Sequence, residues 1–469
     1  MAIIKFINNQ VYNKNMNTSK FIGRTTELEI LKSKYSSDNS EFIVVYGRRR
    51  IGKTTLIKNS LDVSNSFYFM ASRGVYDYEL AIFINELSDK TGVYFGEIKT
   101  FTDLFKKIVE KMPNNFTIVI DEFPYLIEKD KGITAEFQKI WDTILLDANI
   151  NLILSGSAIS IMEQDVLGYK SPLYGRRTAQ IHLKEFRFSQ IGDFFPKLKT
   201  EERIKIYSAL GGVPLYLQLY DTNVSFNENI INLFCRKGSL LYEEAEFLLQ
   251  EELRETNTYF KILEEINKGA VKMNEIAQKS YILPNNLNKY LDKLELLQII
   301  EKKYPLTIEN KKQGIYIIKD KYFRFWLSFI YPNIKNIELE EFSFLKEEIK
   351  KISFPFSKTF EEICQEYLFT IKDLKIDKVG SWWYGENEID IIAISQEEKS
   401  MIIGECKFEN EAMNIKVLKK LEEKVKLVKY TEKINKIKYF LFSKSGFKDN
   451  LKEECKKRDN INLISIDDF

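Results

Sequence analysis

The run VVYGRRRIGKTTL, residues 44–56, sets Gly47, Gly52, Lys53 and Thr54 in the order G-x-x-x-x-G-K-[ST], with a strand-like stretch before it and a helical stretch after it. Glycines at those positions let the backbone N–H groups of Arg48, Arg49, Arg50 and Ile51 curl around phosphate oxygens, and the following helix adds its positive N-terminus. Lys53 then reaches the β- and γ-phosphates, while Thr54, followed by Thr55, offers a hydroxyl ligand to Mg²⁺. The expected ligand is ATP. A second run, FTIVIDEF, ends a strand in two adjacent carboxylates, Asp121 and Glu122. Asp121 is expected to hold the Mg²⁺ shell, and Glu122 to orient and deprotonate the attacking water. A third run, INLILSGS, ends in Ser155 and Ser157, which serve either as polar sensors of the γ-phosphate or as caps of the next helix. In SPLYGRRTAQIHL, Arg176 and Arg177 are candidates for the arginine that stabilises transition-state charge, with a solvated basic turn as the alternative. We take Arg177 as the candidate. His182 lies in an apolar run and reads as a core histidine.

A second constellation lies far downstream. IDIIAISQEEKSMIIGECKF, residues 389–408, reads as two strands around a polar turn. Strand alternation puts Ile403, Glu405 and Lys407 on one face, and sets Asp390 on a face with Ile392 and Ile394. If the turn pairs these strands, Asp390 approaches Glu405 and Lys407 across the ladder. Two carboxylates so placed hold a hard divalent cation, Mg²⁺ or Mn²⁺, and a lysine beside them positions a water or stabilises charge on phosphorus. The preceding helix, FEEICQEYLF, adds Glu361, or alternatively Glu362. An internal ion-pair network is the other reading of the same residues, because burying such charges unpaired costs several kcal/mol per ion.

The elements that must position these residues are legible in the pattern. At 469 residues the chain exceeds one hydrophobic core, and with 44% hydrophobic and 29% charged residues it is a folded protein and not a disordered one. From Phe21 to about Leu183, β-branched runs alternate with amphipathic stretches, the rhythm of a parallel sheet covered by helices. The spacing then becomes helical to about Arg254. Between Thr256 and Tyr331, three helices and two short β-like runs give the layout of a winged helix. The expected segments are therefore an N-terminal extension (1–20), a nucleotide-binding core (21–185), a helical lid (186–255), a winged helix-turn-helix (256–335) and a last α/β unit (336–469). Lys+Arg 70 against Asp+Glu 68 leaves a charge of +2, so a nucleic-acid surface has to come from local segregation of charge. Four scattered cysteines and one histidine argue against a zinc knuckle, a disulfide framework or a His-based metal site. The chain lacks a run near the ~18 apolar residues of a membrane span, so the expectation is a cytoplasmic protein with no membrane partner.

FIGRTTELEIL, GRRRIGKTTL, IVIDEFPYL, LILSGSAISIM, PLYGRRTAQIHL and LGGVPLYL, in this order, closely resemble the archaeal-type P-loop ATPases, relatives of the AAA+ and signal-transduction ATPases. The resemblance spans about residues 20–255. It implies that Gly23, Arg24 and Glu27 lie near the nucleotide and that Pro214 touches the base from the lid. It also admits a homo-oligomer in which a neighbour supplies the arginine. The pair GSWWYGENEIDIIA and IIGECKF resembles the PD-(D/E)xK nuclease-like domain that follows such ATPases, with Ile389-Asp390 in place of Pro-Asp. This implies an α/β restriction-endonuclease-like fold at the C-terminus. Lys289 and Lys293 on the third helix, with Lys302, Lys303, Lys311 and Lys312 around the wing, make DNA the expected partner, although Asp292, Glu295 and Glu301 dilute the charge and winged helices also bind proteins. Two readings of the whole chain stand: an ATPase that loads or licenses a metal-dependent DNA nuclease, and an ATP switch of the signal-transduction type whose last domain only binds a partner or nucleic acid.

Overall fold

FIVVY, FTIVID and INLILSG are buried along their whole length, and each forms a strand because β-branched residues fit a ladder covered on both faces. The computed structural model describes residues 21–307, 313–430 and 434–469, which form two units, one ending at Lys184 and the other running Glu185–Phe469. The N-terminal extension 1–20 and the wing residues Lys311 and Lys312 lie outside the described residues.

In the first unit the chain runs α1 (Thr25–Tyr35), β1 (Phe42–Tyr46), α2 (Lys53–Ser60), β2 (Ser66–Met70), α3 (Tyr76–Thr91), α4 (Phe101–Lys111), β3 (Phe116–Asp121), α5 (Pro124–Lys129), α6 (Ile133–Ile140), β4 (Ile150–Gly156) and β5 (Ala179–His182). The five strands are parallel in the order β2-β3-β4-β1-β5. Alternate side chains feed two cores. Phe42, Val44, Ile118, Ile120, Leu152 and Leu154 join the aromatic cluster under α3, α4 and α6. Ile43, Val45, Val119 and Ile153 meet Leu31, Leu56 and Ile57 of α1 and α2. With both faces filled, polar chemistry is confined to the strand ends.

The second unit opens with α7 (Phe188–Phe194), α8 (Thr200–Leu210), α9 (Pro214–Gln218), α10 (Phe226–Ile230) and α11 (Glu244–Glu252). Then come α12 (Thr256–Asn267), α13 (Met273–Ser280), α14 (Pro284–Leu296), β6 (Ile300–Lys303) and β7 (Ile315–Ile318), in the order expected of a winged helix. Beyond them run α15 (Lys321–Phe325), α16 (Phe342–Lys351), α17 (Phe354–Leu368), β8 (Lys378–Tyr384), β9 (Asn387–Ser395), β10 (Ser400–Lys407), α18 (Ile415–Val425), β11 (Lys436–Ser443), α19 (Asp449–Lys457) and β12 (Ile461–Ser465). The stretch expected as a lid belongs to this same unit, with α8 packed against α15 and α17. The C-terminal sheet has the order β12-β11-β10-β9-β8, antiparallel from β8 to β10 and parallel from β10 to β12. Leu418, Leu421 and Val425 of α18 cover one face, over Ile392, Ile394, Met401, Ile403 and Leu441. Phe360 and Tyr367 of α17 cover the other, against Phe408 and Phe442.

The ladder between β8 and β9 is irregular. Gly380 faces Ile392, yet Trp382 faces Ile389, so two steps along β8 match three along β9. This β-bulge reverses the alternation of side chains in β9. Ile389 and Ile392 accordingly share the α18 face.

Gly212 is confined by backbone. A Cβ there would lie 2.0 Å from Phe186 O and 2.6 Å from Phe186 N, across the bridge in which Phe186 N–H donates to Gly212 O at 2.9 Å. Gly212→Ala is expected to cost the second unit about 2–3 kcal/mol, seen as a lower urea midpoint; a midpoint equal to that of the wild type would show that the backbone yields freely.

Candidate functional site

At the end of β1, Gly47 takes φ +150°, and a Cβ on it would lie 2.3 Å from Leu183 O, so only glycine fits beside β5. Gly52 caps α2 with φ 94°, and Arg50 between them is also left-handed at φ 65°. The loop from Gly47 to Gly52 thus turns its backbone into a concave rim ahead of the helix N-terminus. Lys53 is buried, and its ammonium donates to Gly47 O at 2.9 Å and Arg48 O at 3.2 Å, spanning the cradle from below. Thr55, Arg48, Arg49 and Ile51 lie on the same loop and first helical turn.

The adjacent carboxylates at the end of β3 have different partners. Asp121 is 1% exposed and accepts from Thr54 Oγ1 at 2.8 Å, from the Tyr68 hydroxyl at the same oxygen, and from the Glu122 N–H at 3.0 Å. Glu122 takes φ 54°, which turns its carboxylate away to Ser157, whose Oγ donates at 2.8 Å and whose N–H donates at 3.1 Å. Of the two candidate sensors, Ser157 is the one that touches Glu122. The buried Ser155 Oγ has no hydrogen-bond partner among the described residues, and its carbonyl accepts from Phe123 N–H at 2.9 Å. Tyr68 carries no signal in the sequence, since its place beside Asp121 depends on β2 lying next to β3. Burial, and then the Asp121 charge, push its hydroxyl well above the usual tyrosine range, so it remains a donor.

The flanking residues divide. Arg24 is buried and donates to Ile51 O at 3.3 Å and to Lys184 O, and it pairs with Glu27 at 3.3 Å, which ties the FIGR turn to the loop. Arg176 clamps Asp142 with two bonds of 2.8 Å, whereas Arg177 acts on Tyr46 at the end of β1. His182 is half-buried and stacks on Tyr46 at 4.4 Å. Gly23 directly precedes Arg24. Pro214 opens α9 in the second unit, where Gly212 N–H donates to Glu185 at 3.2 Å.

In the C-terminal sheet the bulge in β9 turns Asp390 toward α17, while the Glu405 and Lys407 charges still act on its carboxylate, so the three groups remain electrostatic neighbours. Regular pairing of β9 with β10 ends at Gly404 opposite Ile391. Asp390 does not share the face of Ile392 and Ile394; its Oδ2 instead accepts the Cys406 N–H at 2.8 Å, and its carboxylate meets α17. Oxygens of Glu361, Glu388 and Asp390 lie within 4.8 Å of one another. Glu405 points to the α18 side with Ile403, where Lys407 at 2.9 Å and Lys424 at 3.3 Å pair with it. Glu388 is a member of the cluster that sequence reasoning missed, although strand alternation sets residues two apart on one face and so could have placed it beside Asp390. Gln365 of α17 donates to Asp390 O at 3.0 Å, fixing the strand against the helix. Glu362, the alternative to Glu361, faces Lys321 at 3.0 Å and Arg324 in α15. Burial alone would raise its carboxyl, but Arg324 and then Lys321 hold it well below the usual range.

The two described lysines of the expected wing, Lys302 and Lys303, have intramolecular partners. Lys302 lies over the rings of Tyr316 and Tyr304, and Lys303 pairs with Glu301 at 3.2 Å. Leu306 N–H donates to Ser381 O at 3.0 Å and Trp383 Nε1 to Gln313 O at 3.3 Å, so the base of the wing is joined to β8. Trp382 is buried in the sheet core. On α14, Lys289 is exposed and Lys293 half-buried.

Residues 21–219 match an ATPase domain found predominantly in Archaea, and residues 326–425 match a family described as archaea bacterial proteins of unknown function. An uncharacterized protein of Methanocaldococcus jannaschii is 35% identical over 408 residues, covering 83% of this chain and 88% of that protein. An uncharacterized ATP-binding protein of the same organism is 48% identical over 42 residues, 9% of this chain and 71% of its own length. Among solved structures, a Walker-type ATPase of Pyrococcus abyssi aligns with 20% identity and a TM-score of 0.49 over 66% of this chain and 96% of that one. The ORC2 protein of Aeropyrum pernix aligns with 13% identity and a TM-score of 0.42 over 70% and 98%.

Burial first, then the Glu361 and Glu405 carboxylates, push Asp390 up to about 8. An unfolded aspartate titrates near 4, so between about pH 4 and 8 the folded chain keeps a proton that the unfolded chain has released, and stability falls as pH rises through that window. In metal-free protein, Asp390→Asn is expected to remove this slope and to gain on the order of 2 kcal/mol over wild type above pH 8. Urea titrations from pH 5 to 9 in EDTA check it, and parallel curves for the two proteins would rule it out.

Proposed function

The chain belongs to one family with the Methanocaldococcus jannaschii relative and carries an archaeal ATPase domain, and on that premise we propose that it binds ATP with Mg²⁺ and hydrolyses it to drive a C-terminal domain acting on DNA. One observation carries the hydrolytic part: the adjacent carboxylates Asp121 and Glu122 are turned to different partners, Thr54 for the first and Ser157 for the second.

The donor set fits the ligands. The glycine-bounded loop ahead of the α2 N-terminus has the backbone form that turns N–H donors to phosphate oxygens, and Thr54 beside Asp121 forms a hard oxygen pair suited to Mg²⁺. Bound there, Mg²⁺ supplies neutralisation of phosphate charge. Lys53 exchanges the carbonyls of Gly47 and Arg48 for β- and γ-phosphate oxygens with a small movement of its ammonium. Glu122 accepts the proton of the attacking water, and Ser157 holds its carboxylate until the γ-phosphate is in place. Arg177 is the arginine for transition-state charge, since Arg176 is committed to Asp142. Gly23 and Arg24 brace the loop, and Pro214 contacts the base.

For the C-terminal domain, Asp390, Glu361 and Glu388 supply cation ligands, with Glu405 as a further carboxylate and Lys407 beside it to stabilise charge on phosphorus. DNA reaches the unit through α14, whose Lys289 is exposed, while the wing is engaged with β8. The ATP-switch reading is the second one, and it draws on the pairing of Lys407 and Lys424 with Glu405 and of Lys358 with Glu361 and Glu388, which also serves as an internal ion-pair network.

Lys53→Ala is expected to abolish ATP binding in a filter or calorimetric assay. Glu122→Gln should retain binding and lose about 100-fold or more in kcat; turnover near the wild-type rate would remove Glu122 as the base. Incubation of the full chain with plasmid and branched DNA in Mn²⁺ separates the two readings of the C-terminal domain. Nicking that disappears in Asp390→Ala supports the nuclease, and intact DNA across all substrates supports the switch.

A further inference from the structure

Lys358 lies in the first turns of α17, three residues before Glu361, and directs its ammonium among the carboxylates of the C-terminal site. Its Nζ is 2.9 Å from Glu361 Oε2 and 3.3 Å from Glu388 Oε1. Those two residues and Asp390 bring their oxygens within 4.8 Å of one another, a spacing that one cation can bridge. An ammonium has three donors and no acceptor, so it meets the same kind of oxygen set that a hard divalent ion would use. Of the other nearby cations, Lys321 and Arg324 pair with Glu362, and Lys407 and Lys424 pair with Glu405, from where Lys407 also acts on Asp390 without a direct ion pair to it among the described residues.

Two of the carboxylates are held by neighbouring elements, and the lysine reaches them on a long side chain. Asp390 is held through the Cys406 N–H and, at its carbonyl, by Gln365. Glu361 is oriented by α17, whose next residue, Glu362, is locked by two cations. Lys358, in contrast, sits half-buried at the mouth of the cluster beside the exposed Glu388, on a flexible four-carbon stem.

We propose that the Lys358 ammonium is the resident counter-ion of Glu361, Glu388 and Asp390 and competes with a divalent cation for these three carboxylates, so that metal enters only as Lys358 withdraws. This rests on reading the cluster as a cation site. With the lysine seated, its single charge offsets part of the cluster's negative charge without metal and the domain behaves as a binding module; with it withdrawn, the oxygens converge on a divalent ion.

Mn²⁺ binding to the full chain without nucleotide, monitored by the loss of the free-ion electron paramagnetic resonance signal, tests this. Lys358→Met is expected to gain one site with a Kd at least tenfold lower than that of the wild type, and the gain should vanish in Lys358→Met/Asp390→Asn. Lys358→Arg, which keeps the charge, should behave as the wild type, and Lys358→Gln gives the same readout as Met should the Met variant fold poorly. Asp390-dependent binding of equal affinity in wild type and Lys358→Met would overturn the competition while leaving the cation site standing. Absence of Asp390-dependent binding in every variant would overturn both.

Discussion

A sheet buried on both faces has no room for charge except at its ends, and the first unit is built around that constraint. β1, β3 and β4 carry only side chains that fill one of two cores, save small or hydrogen-bonded polar groups such as Thr117 and Asn151. Because the strands are parallel, their C-terminal ends arrive on one edge. Gly47, Asp121 and Ser157 therefore meet although far apart in the chain. Asp121 tolerates burial because a hydroxyl from α2, a hydroxyl from β2 and a backbone N–H all donate to it.

The same constraint has a different outcome in the second unit. Its sheet is also covered on both faces, but one extra residue in β9 changes which face receives Asp390. The local consequence is that Asp390 joins Glu361 and Glu388 while still feeling the Glu405 charge. The ion pairs divide accordingly, with Lys407 and Lys424 on Glu405 and Lys358 on Glu361 and Glu388. These pairings offset part of a burial cost that runs to several kcal/mol for an unpaired ion.

α17 joins the parts of this unit. Its consecutive residues Glu361 and Glu362 face different neighbours, the first the strands and the second the cations of α15. Lys444, just beyond the end of β11, pairs with Glu201 of α8 at 3.0 Å, and Lys321 lies over the Tyr207 ring of the same helix. A rearrangement of α8 would thus be felt at α17 through charged contacts, which are sensitive to direction and distance in a way that apolar contacts are not.

Sequence alone determined the elements and the chemistry of the first site. The glycines of the loop, the carboxylates after FTIVI and the β-branched runs are local signals, since phosphate binding requires backbone freedom at fixed spacing and a doubly covered strand requires an unbroken apolar run. The hairpin around QEEKS and the three helices with two strands after Thr256 were legible for the same reason, as periodicity reports which side of an element is buried. Tertiary structure decided everything that depends on how elements abut. It brought Tyr68 to Asp121, took Arg176 to Asp142, joined the β6–β7 hairpin to β8 and set Lys358 and Glu361 of α17 against Glu388 and Asp390. The bulge is the clearest case: strand alternation is a rule with period two, and one inserted residue reverses it without leaving a mark in hydrophobicity, because Ile389, Ile391 and Ile392 are apolar on either face.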